Sequence, residues 1–180
     1  MLSILEAVLV PEERIKVIKD GEIRNKITRV LDVKLKFIEN SVSIEGEGLE
    51  LYQAKTIIKA IGRGFSPENA FRLLKEDETL EVIELTQFNE NKQKTIKSRI
   101  IGTRGKTWKI IESFSGCSLS VYGKTISLIG NYEQLNIARE AVQMIIRGSK
   151  HSKVYTFLHQ AKLWSVSIIF SDAFVKVLFL

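Results

Sequence analysis

Ile100-Ile101-Gly102-Thr103-Arg104-Gly105-Lys106 stands between two helix-compatible stretches, Asn89 to Ile101 and Lys106 to Phe114. A Gly-x-x-Gly at a helix–helix junction has a narrow set of uses. The glycines remove the Cβ atoms that would hold another backbone at a distance, and they permit the dihedral angles of a tight turn. Behind them the next helix opens with outward-facing amides and the positive end of its dipole, where negative charge such as phosphate is favoured. Arg104 and Lys106 add mobile cations at the same spot. A nucleotide-hydrolysing loop would need Gly-x-x-x-x-Gly-Lys-Ser/Thr, so the shorter spacing makes Lys106-Thr107 a false match.

Charge concentrates around this turn. The 180 residues carry 27 Lys/Arg and 21 Asp/Glu, a formal net charge of +6. Residues 1–64 are nearly balanced, with 11 Lys/Arg and 10 Asp/Glu, whereas residues 80–150 hold 11 and 6. Lys92, Lys94, Lys97, Arg99, Arg104, Lys106 and Lys109 follow one another with no acidic residue between Lys92 and Lys109. A solvated helix face would usually explain such a run.

An internal repeat argues for more. A shift of 84 residues, without a gap, pairs Gly21 with Gly105, Ile27 with Ile111, Leu35 with Leu119, Ser43 with Ser127 and Gly46 with Gly130. It also pairs Leu51 with Leu135, Ala54 with Ala138, Ile61 with Ile145, Arg63 with Arg147 and Gly64 with Gly148. These ten identities stand where composition alone gives about three. Each copy predicts the same order. A strand (Ser3 to Val10; Thr79 to Phe88) precedes a helix (Pro11 to Lys19; Asn89 to Ile101). A second helix follows (Glu22 to Leu31; Lys106 to Phe114, with Trp108, Ile111 and Phe114 at helical spacing on one face), stopped in the second copy by Gly116. Period-two runs at Val33–Phe37 with Val42–Ile44, and Cys117–Val121 with Ile126–Leu128, predict hairpins. Amphipathic helices over Leu49 to Ile61 and Tyr132 to Ile146 close the copies, ended by Gly64 and Gly148. Between the copies, Ser66-Pro67-Glu68 predicts a capped connector helix running through Leu74.

This strand-helix-helix-strand-strand-helix order with Gly-x-x-Gly at the helix junction resembles the type I KH domain, a fold that binds single-stranded nucleic acid. The expected fold class is therefore α+β, two tandem type I KH domains. The expected domains are residues 1–65, a connector at 66–79, a second unit at 80–150 and an extension at 151–180. In the first copy the motif is degenerate: Gly102 to Lys106 fall on Ile18, Lys19, Asp20, Gly21 and Glu22, which replaces a glycine and turns two cations into anions. That copy is expected to lack the backbone clamp and to pack against its twin or hold a protein partner.

A closer likeness runs through Arg99, Gly105-Lys106-Thr107, Ile111-Glu112, Val121, Gly123, Ile126, Leu128-Ile129-Gly130, Ala138-Arg139, Ile146, Gly148 and Ser152-Lys153-Val154-Tyr155. This resembles the two-KH small-subunit ribosome-assembly proteins of archaea and eukaryotes, the Partner-of-Nob family, over residues 1 to about 162. The resemblance implies a non-catalytic RNA-binding protein acting in small-subunit rRNA processing, in the cytoplasm. Its implied partners are single-stranded rRNA near the 3′ end of the small subunit and a PIN-domain endonuclease, with no DNA and no membrane. The residues expected to hold RNA are Gly102, Thr103, Arg104, Gly105 and Lys106, with Lys97, Lys109 and Lys124 as further cations. The alternative is a general RNA-presenting adaptor or accessory subunit of a nuclease complex. One departure from the family is the apolar segment Ser165 to Leu180, where a polar, basic helix end is expected.

Other features carry less. With 44% hydrophobic residues the chain is not disordered, and one cysteine, Cys117, forms no disulfide framework and fits a small core residue. His151 and His159 have no carboxylate or thiol cluster near them in sequence, so no metal or other cofactor is expected. Four Asp at 20, 32, 77 and 172 are too scattered for metal-dependent phosphodiester chemistry. Trp108 is read as packing rather than base stacking. Glu6 and Pro11-Glu12-Glu13 argue against a signal peptide, and Asp172 and Lys176 against a membrane-spanning tail.

Overall fold

The computed structural model of the chain describes residues 4–163, so the apolar segment Ser165 to Leu180 lies outside the described residues. An aliphatic run forms β1 (Ile4–Leu9), and Pro11 then starts α1 (Glu12–Lys19), which buries Ile15 and Ile18. α2 (Gly21–Val30), the hairpin of β2 (Lys34–Ile38) and β3 (Ser41–Gly46), and α3 (Gly48–Gly62) follow. The predicted connector is α4 (Pro67–Ala70), continued by a 3-10 turn through Leu74; Ser66 Oγ caps it, accepting from the Asn69 amide at 3.3 Å. The second half runs β4 (Thr79–Glu84), α5 (Glu90–Ile101), α6 (Lys106–Ser115), β5 (Ser118–Tyr122), β6 (Thr125–Gly130) and α7 (Tyr132–Ile146), then a helix over residues 151–163.

Each half makes a three-stranded antiparallel sheet with its last strand in the centre, β1-β3-β2 and β4-β6-β5. The hairpin registers coincide under the 84-residue shift: Leu35 faces Ile44 as Leu119 faces Leu128, and Phe37 faces Val42 as Val121 faces Ile126. So do three left-handed turns: Asp32 (φ 44°) matches Gly116 (φ 79°), Glu39 (φ 47°) matches Gly123 (φ 55°), and Gly64 (φ 94°) matches Gly148 (φ 95°). In two of the three pairs the first half keeps the turn although it has lost the glycine.

A second repeated device was hidden in the sequence. Arg14 donates from Nε to the Ile61 carbonyl at 2.8 Å and from its guanidinium to the Phe65 carbonyl. Arg99 donates from its two terminal nitrogens to the matching carbonyls, Ile145 at 3.0 Å and Ser149. Each arginine bonds one carbonyl in the last turn of a helix and one a few residues beyond it, and its charge complements the negative end of the dipole. Arg99, part of the basic run, is thereby committed to the scaffold.

The chain divides into two compact units: one is the chain through Gln87 together with Ser118–Gly130, the other Phe88–Cys117 together with the chain from Asn131. In the first unit α3 packs on β1 and β3 over a core that includes Ile18, Ile27, Val42, Ile44 and Ile58. The buried Glu78 takes Arg72 in a two-pronged pair, Nε at 2.7 Å and a terminal nitrogen at 3.1 Å, while the other terminal nitrogen donates to Ser118 Oγ at 2.8 Å. In the second unit α5, α6 and α7 pack on one another. Among the described residues, no helix is long and apolar enough to cross a membrane, and no group of three or more His, Cys, Asp and Glu could hold a metal ion.

Two local expectations are corrected. β4 ends at Glu84 rather than near Phe88: Leu85 still donates to the Lys124 carbonyl at 2.9 Å, but Asn89 then caps α5 by accepting from the Lys92 amide, and the turn before that cap breaks the strand. The inner face of α6 is Thr107, Ile111 and Ser115, spaced by four, rather than Trp108, Ile111 and Phe114. Trp108 and Phe114 are half-buried, and Cys117 is buried as expected.

Asp32→Gly and Glu39→Gly should each raise unfolding stability by about 0.5–1 kcal/mol, because a left-handed non-glycine backbone costs about 1–2 kcal/mol and glycine's added chain entropy offsets part of the relief. Urea denaturation of the single variants measures this, and a loss of stability at both sites would contradict the left-handed assignment.

Candidate nucleic-acid interface

The predicted turn between α5 and α6 is a short 3-10 segment, Thr103–Gly105, entered through Gly102, and three residues have positive φ: Gly102 (φ 70°, ψ 175°), Arg104 (φ 54°, ψ 32°) and Gly105 (φ 74°, ψ 14°). The two glycines do different work. A Cβ on Gly102 would lie 2.8 Å from Thr107 Cβ and 2.9 Å from the Thr107 amide nitrogen, so this position closes down onto the first turn of α6. A Cβ on Gly105 would meet nothing within 4 Å, so that glycine is required by its dihedral angle and leaves the approach open. Arg104 holds a strained backbone without a glycine's freedom, and its side chain is exposed.

No side chain caps the start of α6. The repeat provides the contrast. In the first half Asp20, the counterpart of Arg104, has φ −52°, and its Oδ1 accepts from the Glu22 amide at 3.1 Å and the Ile23 amide at 3.4 Å. There the helix start is occupied by the chain's own carboxylate; in the second half the same position presents a cation and an uncapped helix start.

From this turn a groove of about 800 Å³ runs along α6, lined by Thr103, Arg104, Lys106, Lys109, Ile110, Ser113 and Phe114. Its floor is apolar and its rim carries three exposed cations, an arrangement suited to a polyanion whose other face is flat and apolar. Of the residues singled out from sequence, Gly102, Thr103, Arg104, Gly105, Lys106 and Lys109 come together here. Lys97 is half-buried on α5, and Lys124 is exposed in the β5–β6 turn, in the other compact unit. Ile110, Ser113 and Phe114 were missed; the four-residue spacing of Ile110 and Phe114, beside a separate inner face, was the signal for them. Trp108 does not line the groove.

The helix over residues 151–163 braces the turn from beneath. Tyr155 Oη and the buried Thr107 Oγ1 share a hydrogen bond of 2.8 Å, and His151 Nε2 donates to the Arg99 carbonyl at 2.9 Å while its ring stacks near Tyr155. Both histidines thus meet main chain or rings. His159 lies 6.1 Å from Phe114, centroid to centroid.

The chain is similar to known proteins. The model of the eukaryotic-type KH domain (KH-domain type I) of the PNO1 kind matches residues 79–163. Over 168 residues the chain is 37% identical to the KH domain-containing protein MJ0443 of Methanocaldococcus jannaschii, covering 88% of this chain and 74% of that protein. It is similar to a chain of the crystal structure of the a/eIF2alpha–aDim2p–rRNA complex from Pyrococcus horikoshii OT3, at 40% identity and TM-score 0.84, over 90% of this chain and 96% of that one. Dim2p from the same organism matches at 41% identity and TM-score 0.81, over 87% and 99%. A protein of unknown function from Aeropyrum pernix matches at 31% identity and TM-score 0.88, over 98% and 100%. With a KH-domain model over the groove-bearing half and relatives of this identity along most of its length, the chain belongs to the Partner-of-Nob family of KH-domain proteins.

Proposed function

We propose that this chain is a non-catalytic RNA-binding assembly factor that grips about four unpaired nucleotides through Gly102–Lys106. The observation that carries the reading is the contrast between the repeats: an uncapped, cation-bearing helix start at Gly105, and a start already closed by Asp20 in the other half. The phosphates lie against the turn and the amides of α6, with Arg104, Lys106 and Lys109 neutralising them and Lys97 and Lys124 as further cations. The bases lie in an apolar groove along α6. In this reading the chain is two tandem KH units, residues 1–65 and 80–150, joined by the connector 66–79 and followed by the extension 151–180.

The RNA is small-subunit rRNA near its 3′ end, and the setting is the cytoplasmic assembly of that subunit beside a PIN-domain endonuclease. Support comes from the Pyrococcus relative, which occurs in a complex with rRNA and a/eIF2alpha. The first unit, whose matching helix start is closed by Asp20, serves as a protein-binding or packing module.

Single-stranded RNA should bind more tightly than duplex, and log affinity should fall with log salt with a slope of about −2 to −3, at about 0.7 per neutralised phosphate on a single strand. Thr103→Asp with Arg104→Asp should abolish this binding with little change in melting temperature, since the turn is exposed. Lys19→Ala with Asp20→Ala should leave affinity within about twofold. Filter binding and thermal melting decide both, and equal losses from the two pairs would show that the first unit also holds RNA.

Arg104→Gly separates strain from charge. Relief of the left-handed backbone should raise stability by about 0.5–1 kcal/mol, while loss of one cation at the turn should weaken RNA binding several-fold. A variant that is both less stable and unchanged in binding would remove Arg104 from the proposed site.

A further inference from the structure

The first unit carries an unpaired strand edge beside a row of cations, which the RNA grip does not use. β1 bonds β3 through alternate residues: the Val10 amide donates to the Asn40 carbonyl at 2.9 Å, and the register continues that side of the ladder through Val8, Glu6 and Ile4. The amides and carbonyls of Leu5, Ala7 and Leu9 therefore point to the other edge, where no strand pairs among the described residues. Their side chains lie on the sheet face opposite the buried Val8, with Leu5 65% and Leu9 85% exposed, whereas the matching β4 residues Leu80 and Val82 are half-buried. A cleft of about 750 Å³ runs along this edge, lined by residues that include Ala7, Leu9, Lys55, Lys59, Arg63 and Tyr122. The three cations recur every four residues on α3. Lys55 pairs with Glu6, Arg63 lies 3.6 Å from Glu84, and Lys59 is exposed with no anionic partner among the described residues. With Lys55 at Glu6 and Gly62 beside Val10, Lys59 falls level with Val8.

We infer that the β1 edge is a docking site for an extended segment of a partner protein in which acidic and aliphatic residues alternate, added as a fourth strand to the first sheet. The inference rests on the reading of the first unit as a protein-binding module and is separate from the RNA grip of the second. Strand addition takes its affinity from main-chain hydrogen bonds and its selectivity from alternate side chains. One set of the added strand's side chains falls beside Leu5, Ala7 and Leu9 and covers them. The other falls beside Val8, level with Lys59, where an acidic residue meets an uncommitted cation. A second copy fits less well: β1 paired with its own twin brings the cation rows of both copies to one cleft, where like charges repel. A polynucleotide also fits less well, since it offers no ladder to Leu5, Ala7 and Leu9 and meets the carboxylates of Glu6 and Glu84 among the cations.

The test uses the full chain and a fluorescein-labelled peptide of about eight residues, a usual strand length, in which valine and glutamate alternate. Fluorescence anisotropy should show it bind. Methylating the backbone nitrogens of one alternate set should abolish binding, and methylating the other set should leave it, because only one set faces β1. Hydrogen exchange followed by NMR should show the Leu5, Ala7 and Leu9 amides slowed by the peptide. Ala7→Pro removes an edge amide without touching the β1–β3 ladder and should weaken the peptide about tenfold or more; if that variant does not fold, the methylated peptides on the wild-type chain still decide. Lys59→Glu should weaken the peptide about fivefold and leave RNA affinity unchanged. Equal binding of the two methylated peptides, or unchanged exchange at the three amides, would overturn the strand addition. A dimer in sedimentation of the wild-type chain that Ala7→Pro dissolves would overturn it in favour of a second copy. Slowing of those amides by single-stranded RNA instead, with RNA affinity lost in Lys59→Glu, would overturn the protein-binding reading of the first unit itself.

Discussion

The turn at Gly102 depends on one close approach. Thr107, buried in the first turn of α6, sits so near that any side chain at position 102 would collide with it. Its hydroxyl is held from the other side by Tyr155. Backbone, threonine and tyrosine therefore form a stack that holds three residues at positive φ, Arg104 among them against its intrinsic preference. Without it the turn would relax, and the amides of α6 and the Arg104 side chain would lose their common orientation. Strain of this kind persists only where surrounding contacts over-determine it.

The two halves share one set of features and differ in another. Sheet order, hairpin register, three left-handed turns and the arginine that closes the final helix recur in both. Those features serve the fold, and a chain that lost them would leave helix carbonyls or strand edges without partners. The Gly-x-x-Gly turn does not recur. Where the second half bends through Gly102 and Arg104, the first buries Ile18 and lets Asp20 cap its own helix. An anion that caps a helix contributes about 1 kcal/mol, so the first half has the more stable terminus and the second the one able to receive a ligand.

The groove follows from the same division of labour. α6 buries one face with small and branched residues, Thr107, Ile111 and Ser115, and shows a second apolar pair, Ile110 and Phe114, to the groove. That second pair is what gives an exposed helix an apolar face among cations. The C-terminal helix then contributes at both ends of the unit, through Tyr155 under the turn and Lys162 over Phe114.

Most of the architecture was legible in the sequence because it is written in local chemistry: strand alternation, helix periodicity, Ser66 and Gly116 as caps, and two glycines at a helix junction. The repeat made it more legible, since two weak readings of one pattern reinforce each other. What the sequence could not contain was the pairing of residues far apart in the chain. Arg99 belonged by composition to the basic run, yet its guanidinium closes a helix 46 residues away. The inner face of α6 was misplaced by one residue at each end because a buried threonine is recognisable only once Tyr155, 48 residues on, is seen to take its hydroxyl. Asp32 and Glu39 carry no glycine to announce their left-handed backbone, which shows only in the geometry of the turns that follow α2 and join β2 to β3. Residue identity and spacing determined which elements form and where a phosphate could approach; the long-range hydrogen bonds, invisible in any local pattern, decided which cations are free to meet it.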